Sequence, residues 1–368
     1  MDVLGISRQS ARPPVRVGIA GCGAVTELYY APALAILERE RMVQVAGLLD
    51  PDRERAEQIG VRFPRAQCAN DYTALLEQDI ELVIVASPPI HHAEQSIRAL
   101  QSGKSVLCEK PLATTTGDAR RMVAAAAKAG RLLAAGYVRR CFPAARTIKA
   151  VLEHSMLGTL RRFQCFEGGA FRWPVCSGTY FERESGAGGV LLDLGPHVLD
   201  LLTWWLGPPI AVRYEDDAMG GVEANCRIEL DYADFTGEIR LSRDWDRPNR
   251  YVFHGSHAWL SWVANEADAV DIGFPDAGYA AAARLRDITS ESETAAADGA
   301  AADFHQSFLE QLRNVVAFVR GDTAPIVSGT DVLESVRLVE HCYQHRAPMP
   351  MPWLDDIEQR SALREAHG

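Results

Sequence analysis

The chain has 368 residues, 47% hydrophobic and 24% charged, which suits large packed cores and suggests two domains. Its 38 basic and 49 acidic residues leave a formal charge of −11, arguing against nucleic acid or an anionic membrane surface as the main partner. Eight cysteines include no C-x-x-C pair and no zinc-like cluster, so they read as reduced thiols of a cytoplasmic protein with no metal.

Residues 1–13 read as a tail without a signal-peptide core, and no apolar run is long enough to span a bilayer. Val15 to Ala20 is a buried strand, broken by Gly21-Cys22-Gly23, with a helical pattern from Val25. A glycine turn there lets the backbone approach a phosphate, and the helix start aims free N–H groups at it. The dinucleotide fingerprint ends in Gly or Ala, and here Thr26 takes that place. An ordinary strand–turn–helix, or a methyltransferase, opens in the same way. Met42 to Leu49 reads as a second strand ending at Asp50, whose carboxylate suits the ribose hydroxyls of an adenosine. It also suits a helix cap before Pro51.

The alternation continues with helices at Arg53–Ile59 and Tyr72–Leu76, a strand at Leu82–Ala86 and a helix from His92 to Gln101. A strand at Ser105–Cys108, a helix at Asp118–Lys128 and a strand at Leu132–Ala135 complete the pattern of a parallel sheet covered on both faces. Residues 14–138 form this first, Rossmann-type domain. Residues 139–350 form a second, α/β domain with a large, mostly antiparallel open sheet, and 351–368 form a tail. In the second domain, Pro143–Leu157 and Val190–Leu206 read as helices around a strand at Leu160–Phe166. Period-two runs fill Ile210–Val263, Ala264–Ala302 reads as an excursion, and helices follow from Asp303 and over Asp331–Tyr343.

Chemistry-bearing residues gather in three stretches. Ser87-Pro-Pro-Ile-His-His92 and Glu109-Lys110-Pro111 each leave the C-terminal end of a parallel strand, where doubly wound sheets bind ligands. A Lys there needs a task or a partner. Asp193, His197 and Asp200 share one helix face, with Pro196 requiring a helix start nearby. A capping Asp with a core His fits that spacing equally.

Together these stretches resemble the Gfo/Idh/MocA family of nicotinamide-dependent sugar and polyol oxidoreductases. The resemblance is carried by Gly21-x-Gly23, Asp50, Ser87-Pro-x-x-x-His92, Gly103-Lys-x-Val-x-x-Glu109-Lys-Pro111 and Arg139-Arg140-x-x-Pro143. It continues in Gly189-x-x-x-Asp193-x-Gly-x-His197-x-x-Asp200 and Pro325-x-Val-Ser-Gly329. It implies Lys110, Asp193 and His197 as catalytic residues. Around the dinucleotide it implies Gly21, Gly23, Asp50, Ser87, Pro88, Glu109 and Lys110, with Ala24, Val25, Arg53 and His92 beside them. Val138 stands where many members carry Asn. Arg172, Trp173, Tyr180 and Phe181 fall in the variable substrate region.

The function so implied is hydride transfer between NAD(H), or NADP(H), and a hydroxyl-bearing carbon of a sugar, polyol or glycoside. Redox-neutral glycoside cleavage or elimination through a transient ketone is the alternative, and a nucleotide-sensing regulator is a third reading. A homodimer or homotetramer is expected through the open sheet. No Tyr is followed by Lys four residues on, which disfavours a short-chain dehydrogenase. His341 and His345 read as a solvated helix face.

Overall fold

The computed structural model describes residues 12–174, 188–244, 248–285 and 304–350. β1 (Val15–Ala20) leads through a turn into a π-helical stretch at Thr26–Tyr30 and then α1 (Ala31–Arg39). There follow β2 (Val43–Leu49), α2 (Arg53–Gly60), β3 (Gln67–Cys68), α3 (Tyr72–Glu77), β4 (Leu82–Val85), α4 (Pro89–Gln101), β5 (Ser105–Cys108), α5 (Thr116–Ala129) and β6 (Leu133–Ala135). The strands pair in parallel in the order β3-β2-β1-β4-β5-β6. They are apolar on both faces because helices cover both. The order reverses between β1 and β4, which opens a crevice at their carboxyl ends.

Local chemistry explains where these elements start and stop. α4 begins at Pro89, three residues before the expected His92. Proline breaks a strand yet suits a first helical position, where the amide has no partner. The Thr115 side chain accepts from Asp118 N and caps α5, which stops at Gly130 in the left-handed region. The Thr26 hydroxyl donates to the Gly21 carbonyl at 2.7 Å and is fully buried, so it ties turn to helix where a looser packing was expected.

The second half opens with a short 3-10 turn at Val138–Cys141, then α6 (Pro143–Glu153), β7 (Leu160–Gly168) and α7 (Val190–Leu206). Strands β8 (Ala211–Asp216), β9 (Asn225–Asp231), β10 (Thr236–Ser242), β11 (Arg250–Gly255), β12 (Trp259–Val263), β13 (Ala269–Phe274) and β14 (Tyr279–Arg284) follow. α8 (Phe304–Val319), α9 (Leu333–Gln344) and β15 (Arg346–Pro348) end the described chain. The nine strands form one sheet, ordered β14-β13-β12-β11-β7-β10-β9-β8-β15, with only the β7–β10 and β8–β15 pairs parallel. One face packs on α6, α7 and α9. The other carries charges in register, including Arg213 with Glu229 and Asp231, and Arg227 and Arg240 with Glu238.

Three features depart from expectation. Residues 269–284, expected within an excursion, form the β13–β14 hairpin at the sheet edge. Pro196 lies seven residues into α7 rather than at its start, so the helix forgoes one backbone hydrogen bond there. α8 lays Leu309, Leu312, Val315 and Val316 into the core under β1 and β2, and Ala134 bridges Ser328. The late segment thus returns to cover the first sheet. The helix start expected at Asp303 lies outside the described residues.

Two buried arginines at the start of the second half pin it to its own sheet and to α7. Arg139 pairs with Glu167 at 2.5 and 2.9 Å, and Arg140 grips Asp200 at 2.6 and 2.9 Å. The Arg140 guanidinium also lies 5.2 Å from the Trp204 ring centre. Removing one partner of such a pair strands a buried charge at a cost of about 3–5 kcal/mol. Asp200→Ala should therefore lower the melting temperature steeply. A melting temperature within experimental error of wild type would show that the pair does not hold α7 in place.

Candidate active site

The crevice is shaped first by two glycines. Gly21 has φ +102°, and a Cβ there would sit 2.5 Å from the Ala86 carbonyl, so the exits of β1 and β4 touch. Gly23 has nothing within 4 Å of where its Cβ would be. Ala24 and Val25 begin the helix, and the first amides of a helix have no intrahelical partner and suit an anion. Asp50 closes the turn: its Oδ2 accepts from Cys22 N at 2.8 Å and its Oδ1 from Asp52 N at 2.9 Å. This set fits a pyrophosphate at the glycines and a ribose at the carboxylate. Arg53 is exposed and engaged with Glu57 and Asn70 along the surface.

Behind the crevice, side chains expected at the cofactor turn inward. Ser87 donates to Gln95 at 2.7 Å, and Pro88 caps α4. His92 is 1% exposed, with Nδ1 2.8 Å from the Pro111 carbonyl and Nε2 2.8 Å from the Ser87 carbonyl. Burial holds its basicity down, so the neutral ring donates to one carbonyl only. It braces the two loops instead of facing a ligand. Glu109 accepts from the Tyr30 hydroxyl at 2.6 Å and from the Lys110 amide at 2.9 Å. Burial pushes its carboxyl up. Glu109 is thus a support beneath Lys110.

Lys110 precedes a cis peptide to Pro111 and sends its side chain out of β5 across to α7. Its Nζ donates to the Asp193 carbonyl at 2.8 Å and to Asp193 Oδ1 at 3.1 Å. One turn on, His197 lies edge-on to Tyr137 at 6.4 Å, and its buried Nδ1 has no partner among the described residues. Burial, then the charges of Arg139 and Lys110, push its imidazole well below its ordinary range. The α7 N-terminus is capped by Glu223, which accepts at Oε1 from Leu191 N and through its carbonyl from Val190 N. Asp193 is left facing Lys110 and Arg243.

Lys110, Asp193 and His197 are brought together at the crevice mouth, while Asp200 on the same helix is consumed by Arg140. Trp173 stacks on Tyr29 of the first half at 6.3 Å, and Arg172 is exposed. Tyr180 and Phe181 lie outside the described residues. Tyr30, Glu223 and Arg243 contact Glu109, the α7 start and Asp193 without belonging to any of the sequence motifs.

The two glycines make separable tests. Gly21→Ala should cost roughly 1–3 kcal/mol of stability through backbone strain, seen as a lower melting temperature. Gly23→Ala should keep the melting temperature and weaken NADH binding by about tenfold or more, because its methyl enters the space left for phosphate. Unchanged NADH binding by a folded Gly23→Ala would place the cofactor elsewhere.

Comparison with known proteins bears on the same residues. Residues 15–137 match the family model described as an oxidoreductase family with an NAD-binding Rossmann fold. Residues 145–261 match the GFO/IDH/MocA C-terminal domain. A dTDP-3,4-didehydro-2,6-dideoxy-alpha-D-glucose 3-reductase of Actinomadura kijaniata is 30% identical over 259 residues, covering 68% of this chain and 75% of that one. A D-glucoside 3-dehydrogenase of Escherichia coli is 31% identical over 205 residues, covering 53% and 55%. A solved 3-ketoreductase from Actinomadura kijaniata, complexed with NADP and TDP-benzene, superposes with a TM-score of 0.76 at 25% identity, over 92% of this chain and 100% of that one. With both halves matched in order, this chain belongs to the Gfo/Idh/MocA family of oxidoreductases, its first half the NAD-binding Rossmann domain.

Proposed function

We propose that the chain transfers a hydride between a nicotinamide cofactor and a hydroxyl-bearing carbon of a sugar or sugar derivative, with Lys110, Asp193 and His197 as its catalytic residues. The observation that carries this reading is the meeting of the Lys110 ammonium with Asp193 one turn from a His197 nitrogen that has no partner among the described residues. The sugar reductase and glucoside dehydrogenase among its relatives support a carbohydrate substrate. The nicotinamide, when bound, accepts or supplies the hydride. In oxidation, neutral His197 takes the hydroxyl proton, which must leave as the hydride does. Lys110 donates to the same oxygen and stabilises the developing alkoxide. Asp193 aims Lys110. In reduction the same groups work in reverse.

A panel of polyols, aldoses, glycosides and nucleotide sugars with NAD and NADP, read by nicotinamide absorbance and product analysis, tests the activity. Lys110→Ala and His197→Ala should each lose on the order of 10²-fold in turnover while NADH binding and melting temperature survive. If His197→Ala lowers only stability, the residue is structural.

The pH dependence follows from the depressed basicity of His197. The ring is neutral at and above pH 6.5, so kcat/KM for oxidation should not lose His197's contribution until the pH falls below that. An unfolded His takes its proton near pH 6.5, before the folded one does. Folding therefore also loses stability as the pH falls below about 6.5. An acid limb centred above pH 7 that disappears in His197→Ala would contradict this account.

Asp50 supports NAD over NADP, since a carboxylate beside the ribose repels a 2′-phosphate. Titration should show tighter NADH than NADPH binding, with Asp50→Ala narrowing the gap; tighter NADPH binding by wild type would reverse the assignment. The charged open sheet face supports assembly with a second copy, read by light scattering. Seven free cysteines among the described residues support a reducing, cytoplasmic setting.

A further inference from the structure

We propose that Arg243 is a positioning residue of the reaction, holding the far oxygen of Asp193 so that one carboxylate is shared between two cations. This rests on the assignment of Lys110 as donor to the substrate oxygen. Arg243 Nη2 lies 3.4 Å from Asp193 Oδ2, while Lys110 Nζ lies 3.1 Å from Oδ1. The carboxylate therefore stands between a cation from the first half of the chain and one from the second.

The arginine is firmly based. It follows β10, donates its amide to the Ala224 carbonyl at 2.9 Å and accepts from Phe171 N at 3.0 Å. Beside it, Gly168 passes so close to β10 that a Cβ would lie 2.1 Å from the Ser242 carbonyl oxygen. The guanidinium sits 4.8 Å from the centre of the Phe171 ring, and its side chain is 9% exposed. A guanidinium keeps its charge at any working pH, so Arg243 is a fixed cation aimed at one oxygen.

The consequence falls on Lys110. An ammonium has three donors, and two go to Asp193, which leaves one for a substrate oxygen. A carboxylate devoted wholly to Lys110 would hold the ammonium tightly and compete with a developing alkoxide. Sharing that carboxylate with Arg243 weakens the hold and fixes the carboxylate plane, so Lys110 stays aimed yet available.

The chain contains four lysines, Lys104, Lys110, Lys128 and Lys149. Trace acetylation with acetic anhydride, followed by peptide mapping, reads each one separately on the whole protein. In Arg243→Gln, the second cation on the Asp193 carboxylate is gone, and its charge weighs more on Lys110. Its labelling relative to the other three should drop by about 3- to 10-fold, the change expected when a neighbouring cation is removed. Arg243→Lys should restore labelling to within about twofold. Phe171→Leu, which loosens the guanidinium without removing charge, should shift it the same way by a smaller factor. An unchanged or faster Lys110 in folded Arg243→Gln overturns the proposal. If that variant does not fold, an unchanged ratio in Phe171→Leu overturns it, and a slower one supports it.

Labelling needs no sugar, so it is separate from the test of the activity. If Lys110→Ala abolishes turnover while Lys110 labelling ignores Arg243, only this inference fails. If Lys110→Ala leaves turnover intact, the assignment beneath it fails. Where both hold, Arg243→Gln should lower kcat about tenfold with NADH binding unchanged.

Discussion

One contact organises this protein: the Lys110 ammonium on Asp193. It joins the end of β5, in the parallel sheet, to the first turn of α7, against the antiparallel one. Neither sheet holds a complete site. On the proposed reading the first supplies a glycine turn and a carboxylate for a dinucleotide, with a lysine at the rim. The second supplies an acid and an imidazole on one helix. Much of the surrounding structure can be understood as fixing the distance between them.

That support is layered. Beneath Lys110, the buried Glu109 takes the Tyr30 hydroxyl and the Lys110 amide, and His92 spans the Ser87 and Pro111 carbonyls. Beneath α7, Glu223 caps the helix start, Arg140 holds Asp200, and Arg139 holds Glu167, which also accepts from Tyr251. The two arginines are paired with carboxylates, and Glu109 and Glu223 are hydrogen-bonded, as the cost of burying such groups demands. Arg139 does a second thing: its charge adds to burial in keeping His197 neutral. The same arginine therefore holds the frame and adds to the burial that lowers the basicity of His197.

How much of this was legible in the sequence depended on how local the signal was. β1, the glycine turn, α5 with its Gly130 stop and the full span of α7 follow from short-range apolar pattern and turn chemistry. The β13–β14 hairpin does not, because Tyr279-Ala-Ala-Ala-Ala-Arg284 has no period-two contrast and reads as neither strand nor core. α8 was legible as a helix, but nothing local says that its apolar side belongs under β1. The motif residues stand out in the sequence as a group, yet only packing separates a His92 locked between two carbonyls from a His197 whose Nδ1 has no partner among the described residues. Arg243 had no motif at all; its position depends on where β10 ends relative to α7.

The account stands on Lys110 and Asp193 acting as one unit across the two halves, and a double-mutant cycle measures that directly. With the sugar substrate found by screening, kcat/KM is compared for wild type, Lys110→Met, Asp193→Asn and the double variant. If the two residues form one device, the double variant should be hardly worse than Lys110→Met alone, leaving a coupling energy of roughly 1–3 kcal/mol. Losses that simply add would mean that the two act independently, and would contradict the central claim.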